Sequence, residues 1–162
     1  MIFKNKWWFA FLLGLSLSAC AQKKTVLLTV KYTQPYCGGA RPTPEMVKAA
    51  SEPKVYANKI LVFISDKGKA DSAKTNEKGV LKLKLAMGTY RVYESWRYYK
   101  QAPGTDRISL YDGSCLQSEW QKESHKIVVG SKTSTATEIN AIIEFCAHNR
   151  PCLKEENIQR PE

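Results

Sequence analysis

Histidine is nearly missing from this chain, and with it most of the usual means of moving a proton near neutral pH. Only His125 and His148 occur, and neither sits in an HExxH zinc motif or accompanies a nucleophile elbow. Carboxylates such as Glu94, Asp106, Asp112 and Glu119 are scattered, with no spacing that pairs two of them on one surface. No CxxC pair and no CxxCH occurs, which excludes a dithiol redox motif and covalent haem attachment. The pair Gly38-Gly39 is not followed by a Lys-Ser/Thr helix start, so it is no phosphate loop. No internal repeat is found, and no apolar run reaches the about 20 residues a membrane-spanning helix needs. These absences predict a non-enzymatic protein with no cofactor and no resident metal.

Acid is also scarce. Lys and Arg number 25 against 15 Asp and Glu, a formal net charge of +10 to which Lys4 and Lys6 contribute two. The basic residues are spread along the chain rather than gathered in a stripe, which argues against nucleic acid. A lysine-rich surface attracting anionic lipid or polyanionic glycan fits better.

What is present begins with the N-terminus. Lys4 and Lys6 precede the apolar run Trp7 to Leu17, and the small residues Ser18 and Ala19 lead to Cys20. A charged start, a short apolar core and a small-residue end make residues 1–19 a secretory signal peptide. Leu17-Ser18-Ala19-Cys20 resembles the lipobox of bacterial lipoproteins. The resemblance implies a diacylglyceryl group on the Cys20 thiol, cleavage before Cys20, and acylation of the new N-terminus, so that residues 20–24 become a lipidated tether. Several acyl chains hold a protein at a bilayer, where one would hold only marginally. Ala21 stands where an Asp would signal inner-membrane retention, and Gln22-Lys23-Lys24 is not an acidic surface-export run. The resemblance therefore implies the outer membrane, on its periplasmic side.

With Cys20 assigned to lipid, Cys37, Cys115, Cys146 and Cys152 remain. Four cysteines in an oxidising compartment predict two disulfides, with three pairings open. The competing reading is a small metal-handling or redox protein. In it Cys146, His148 and Cys152 act together, with Cys37 or Cys115 as a fourth ligand.

Period-two alternation dominates the mature chain. Val26, Leu28, Val30 and Tyr32 predict a first strand, and Ile60 to Ile64, apolar throughout, a central one. Leu81, Leu83 and Leu85 alternate with Lys82 and Lys84 as a half-buried strand. Thr89 to Tyr93 continues the alternation as far as Tyr99. Arg107 to Tyr111, His125 to Val129 and Thr135 to Phe145 complete about seven strands. One helix is expected from Pro44 to about Ala50 or Ser51, capped by Thr43. Residues 66–79 read as a polar connection, 25–152 as the domain and 153–162 as a flexible tail. The pattern predicts an all-β sandwich.

Thr75-Asn76-Glu77-Lys78-Gly79-Val80-Leu81-Lys82-Leu83 and Ala86-Met87-Gly88-Thr89-Tyr90 resemble a motif of prealbumin-like sandwiches, among them carboxypeptidase regulatory-like and Cna-B-type modules. Gly79 is expected to end the loop, and Gly88 to make a hairpin that returns Tyr90 to the core. Asn76, Val80 and Ala86 depart from the usual Asp, aromatic and Pro of that motif. Tyr36 to Glu45 resembles a stretch of small Bacteroidota lipoproteins that carry such domains, which implies a location and no activity.

Two surface sites complete the reading. Asp71-Ser72-Ala73 resembles a Bacteroidota O-glycosylation acceptor, here expected in a loop. The alternation puts Tyr90, Val92, Trp96 and Tyr98 on the core face and Arg91, Tyr93, Arg97 and Tyr99 on an outward face suited to an envelope protein or glycan. The expected function is that of a lipid-anchored envelope protein whose sandwich binds or supports such a partner.

Overall fold

A computed structural model describes residues 23–39, 41–104, 107–131 and 136–157. The expected signal peptide, residues 1–19, and Cys20 lie outside the described residues. Among those described, eight strands form two four-stranded sheets. The molecule is mostly β, with a core between the sheets, as the alternation predicts.

The first sheet is organised around β1 (Lys23–Thr33), whose alternation buries Val26, Leu28 and Val30. Burying each such side chain stabilises the fold by about 1.5–3 kcal/mol. One edge of β1 pairs in parallel with β8 (Ala136–Ile143). The other edge pairs antiparallel, first with β5 (Val80–Ala86) and then with β2 (Lys54–Val55). The second sheet runs β4 (Ala70–Lys74), β3 (Ile60–Ser65), β6 (Gly88–Glu94) and β7 (His125–Val129), all antiparallel neighbours. β3 lies between two partners and buries Leu61, Val62 and Phe63, as its two-sided apolar run predicts.

The exchange of partners along β1 needs Gly79. Val30 donates its N–H to the Gly79 carbonyl, and its own carbonyl accepts from Tyr56 N–H. Gly79 has φ +70, and a Cβ there would lie 2.7 Å from the Val30 oxygen. We expect Gly79→Ala to cost about 1–3 kcal/mol through strain and this clash. Gly68→Ala shares a positive φ (+77) but meets nothing within 4 Å, so it should cost less. Urea midpoints of the two variants check the difference. Beside Gly79, the Asn76 Oδ1 accepts from Lys78 N–H and Val80 N–H, each at 2.9 Å. The turn thus uses an acceptor oxygen that Asn and Asp both carry, which accounts for the departure from Asp at this position.

Several expectations need correction. Gly88 (φ +148) does not make a hairpin: β5 and β6 belong to different sheets, and Met87-Gly88 carries the chain across the corner between them. Residues 66–79 are not one connection, because β4 lies within them as the outer strand of the second sheet. Ser72 therefore sits on an exposed edge strand, opposite Val62, rather than in a loop. The strand expected from Thr89 to Tyr99 stops at Glu94, where α2 (Ser95–Tyr98) begins. Arg107 to Tyr111 is a 3-10 turn at 108–110 rather than a strand. The helix α1 (Pro44–Ser51) forms as expected, and the Thr43 hydroxyl accepts from Met46 N–H.

A further helix, α3 (Gly113–Gln121), escaped the sequence reading. The Asp112 carboxylate caps it, accepting from Cys115 N–H at 2.7 Å. Its Leu116 joins Ala102 and Tyr111 in a small satellite core, packed by Leu110, Trp120, Cys152 and Leu153. Leu153 bridges to Tyr111, and Lys154 N–H donates to the Leu110 carbonyl, so the chain stays packed beyond the expected domain end at Cys152.

Candidate functional site

The four described cysteines form two bonds, Cys37–Cys146 and Cys115–Cys152. Cys37 follows β1 and Cys146 follows β8, so one bridge closes the far end of that parallel pair. The other fastens α3 to the segment after Arg150. Cys146 and Cys152 thus belong to different bridges, and both thiols of the expected metal or redox cluster are consumed. Among the described residues, no group of three His, Cys, Asp or Glu side chains is placed to hold a metal ion.

The expected face of Arg91, Tyr93, Arg97 and Tyr99 is not assembled. The turn into α2 changes side-chain rotation from about 180° to about 100° per residue, which breaks the alternation. Arg91 is exposed, with its guanidinium 6.0 Å from the Tyr93 ring centroid, and Tyr93 itself is only 6% exposed. Tyr99 is exposed and packs edge-on against Tyr98 at 5.1 Å. The Arg97 side chain turns inward and is 11% exposed.

Around Arg97 the chain gathers a buried polar cluster that the sequence reading missed. Arg97 Nη1 donates to Glu94 Oε2 at 3.3 Å, and Nη2 donates to Glu119 Oε2 at 3.1 Å. Ser124 Oγ donates to the same Glu94 oxygen at 3.2 Å. The Tyr56 phenol and the Trp96 side chain also hydrogen-bond Glu94. The Arg97 guanidinium lies over the Trp96 ring at 4.5 Å, a cation–π contact. Arg97 Nε is buried without a hydrogen-bond partner among the described residues.

Local structure explains how these residues meet. Glu94 is the last residue of β6, and α2 brings Arg97 back over it three residues later. Tyr56 is held by the buried Thr75, whose hydroxyl donates to the Tyr56 carbonyl at 2.6 Å and accepts from Lys59 N–H at 3.0 Å. Thr75 therefore fixes the Tyr56 backbone beside the Glu94 end of β6. Lys59 in turn pairs with Glu144 at 3.3 Å and lies 5.7 Å from the Tyr56 ring centroid.

Burial dominates the electrostatics. It pushes the Glu94 carboxyl above its usual range, against the lowering effect of Arg97 and of the Trp96 and Ser124 hydrogen bonds. Burial also pushes the Tyr56 phenol up, with Glu94 and Glu144 adding to the effect.

Glu94 borders two cavities. The larger, about 250 Å³, is lined by Tyr56, Lys59, Trp96, Gln101, Glu144 and Arg150 among others. The smaller, about 170 Å³, lies towards Lys122 and Ser124. The larger cleft offers three aromatic rings (Tyr56, Trp96 and Phe145), an amide and charges of both signs around a fixed carboxylate. Such a set can hold a polar ligand by stacking and hydrogen bonds. The only sequence signal for it was the aromatic run from Tyr90 to Tyr99; Tyr56, Lys59 and Glu144 arrive from distant segments.

No family model matches the chain, and no curated protein matches it. Among solved structures it is similar to the Bacillus anthracis TIE protein, at 21% identity and a TM-score of 0.27, over 74% of this chain and 16% of that one. The chain thus spans less than a fifth of that protein's length.

Proposed function

We propose that this is a lipid-anchored envelope protein whose non-enzymatic β-sandwich binds an envelope glycan or glycan-bearing partner through the cleft beside Glu94. The observation that carries this reading is the cysteine pattern. All four described cysteines are spent in disulfides, which suits an oxidising compartment and leaves Cys20, behind its apolar run, as the cysteine for lipid. The resemblance of Leu17 to Cys20 to a lipobox supports lipid anchorage, and Ala21 with Gln22-Lys23-Lys24 supports the outer membrane, facing the periplasm.

The strand order supports a prealbumin-like fold. The first and last strands pair in parallel in one sheet, β4-β3-β6-β7 form the other, and the chain crosses between sheets at Met87-Gly88. On this reading the anchor holds the module at the bilayer, and the cleft at the far end of β6 faces away from it. The cleft's aromatic rings and polar groups suit a sugar, and its fixed Glu94–Arg97 pair sets the shape rather than acting in chemistry.

The protein purified from its envelope should show diacylglyceryl and acyl mass on Cys20, and thiol titration without reductant should find no free thiol. The wild type should sediment with isolated cell-wall glycan, and Gln101→Ala and Lys59→Ala should each weaken this about tenfold, the loss of a well-placed polar contact. A wild type that stays in the supernatant sinks the glycan reading. A bare Cys20 sinks the anchor.

A further inference from the structure

We infer that the end of the sandwich opposite the cleft docks on an anionic phospholipid bilayer, with Met87 entering the headgroup region and lysines around it binding phosphate. The inference rests on the Cys20 anchor proposed above and adds how the domain stands on the membrane.

The register places the relevant residues together. Lys23 pairs with Ala86, so the start of β1 lies beside the Met87-Gly88 corner. Gly88 pairs with Val129 at the end of β7, and Asp66 N–H donates to the Thr89 carbonyl, which brings the β3–β4 turn to the same end. That turn carries Lys67 and Lys69, both exposed. Lys84 is exposed on β5, and Lys24 reaches across to the carbonyls of Gly130 and Ser131, at 2.9 and 2.5 Å. Among the described residues at this end, five lysines (Lys23, Lys24, Lys67, Lys69 and Lys84) face two carboxylates, Asp66 and Asp71. Met87, at the corner, is 54% exposed and is among the most exposed large apolar side chains described.

The length of chain outside the structure selects the occupant. Cys20 precedes Lys23 by three residues, which reach at most about 11 Å even when fully extended. An acylated Cys20 therefore holds this end within about one Debye length of the phosphates, where lysine attraction is least screened. An apolar tip inside a ring of cations complements such a surface: the thioether enters the interface while the ammonium groups stay at the phosphates. Because β6 rises about 3.4 Å per residue from Gly88 to Glu94, the cleft then stands about 20 Å above that contact.

The test uses the processed protein in vesicles of phosphatidylcholine with one quarter phosphatidylglycerol, carrying Met87→Trp. Lipid brominated on its acyl chains should quench the introduced indole, while Trp96 and Trp120, placed towards the other end, give a constant background. Each lysine near such a surface is worth about a fivefold shift in occupancy. Lys67→Glu, Lys69→Glu and Lys84→Glu together should then shift the docked ratio by at least about a hundredfold, from the three lost attractions alone, and abolish quenching. Vesicles of phosphatidylcholine alone, or 0.5 M salt on the unreversed protein, should abolish it without those substitutions. Equal emission from brominated and unbrominated vesicles, or quenching indifferent to charge reversal and salt, overturns the docking. Mass on Cys20, read on the same sample, reports the anchor separately: a bare Cys20 with salt-sensitive quenching removes the anchor and retains the headgroup contact.

Discussion

Replacing Cys37 and Cys146 together by alanine should lower the unfolding free energy by about 4–5 kcal/mol, the largest loss expected from any single link in this molecule. The bond closes a loop of sequence separation 109, so its removal frees most of the domain in the unfolded ensemble. In the native state it has little to hold. Thr33 already pairs with Ile143, and Glu144 N–H donates to the Thr33 carbonyl. The effect should therefore appear as a shift in urea midpoint with an unchanged sandwich, seen as retained far-ultraviolet dichroism at low denaturant. Cys115 and Cys152 replaced together should cost about 3–4 kcal/mol by the same argument for a separation of 37. That loss should be local. Amide exchange should quicken in α3 and residues 150–157 while the β3–β6 ladder stays protected. A midpoint unmoved in the first double variant would show that the bond is absent from the protein in solution.

Arg97→Leu is expected to cost about 3 kcal/mol at pH 8, because it leaves the largely buried Glu94 without its cation and Glu119 with only the exposed Lys122. The side chains of Glu94 and Glu119 are 7% and 13% exposed. The deficit should depend on pH in a defined direction. Burial already raises the Glu94 carboxyl above its usual value, so the folded protein holds that proton more tightly than the unfolded chain does. Such a group favours the folded state most at low pH, and its contribution falls as pH rises from the ordinary carboxylate range through the raised value. Removing Arg97 removes the main influence holding that value down, so the variant should lose stability more steeply with pH than the wild type. Its deficit should shrink towards pH 5. The lowered carboxyls of Glu45, Asp112 and Glu138 act in the opposite sense, but they are exposed and common to both proteins. Denaturant unfolding at pH 5, 6.5 and 8 measures the difference. A deficit constant across that range would show that Glu94 is not the charge Arg97 compensates.

How much of this was readable beforehand depended on whether local pattern and tertiary setting agreed. β1, β3 and β5 could be read because their apolar residues follow the period of a strand packed on one or both faces. The helix at Pro44 could be read because Thr43, Pro44 and Glu45 each favour a helix start. β4 was hidden, since Ala70 to Lys74 lies at a sheet edge where neither face supplies a run of large apolar residues. The alternation from Tyr90 to Tyr99 misled for the opposite reason. It continues past Glu94, although the chain turns into α2 so that Arg97 can reach a carboxylate already buried. α3 was overlooked because Gly113 resembles a turn residue, while the capping Asp112 and the Leu116–Trp120 spacing were the available signals. The corner at Gly88 and a hairpin at Gly88 would read alike, because the sequence does not say to which sheet the next strand belongs. The cleft was least visible: Tyr56, Glu94, Trp96 and Glu144 come together only when both sheets are in place.

The paired strands β1 and β8 also determine how the molecule answers tension. A pull on the chain before Lys23 runs lengthwise along an eleven-residue strand whose hydrogen bonds lie across the direction of load. Those bonds must shear as a set, on both edges at once, instead of unzipping in turn. Should β1 yield, the covalent link from Cys37 to Cys146 passes the load directly to the end of β8 and shields the chain enclosed between them, so extension is arrested after a short stretch.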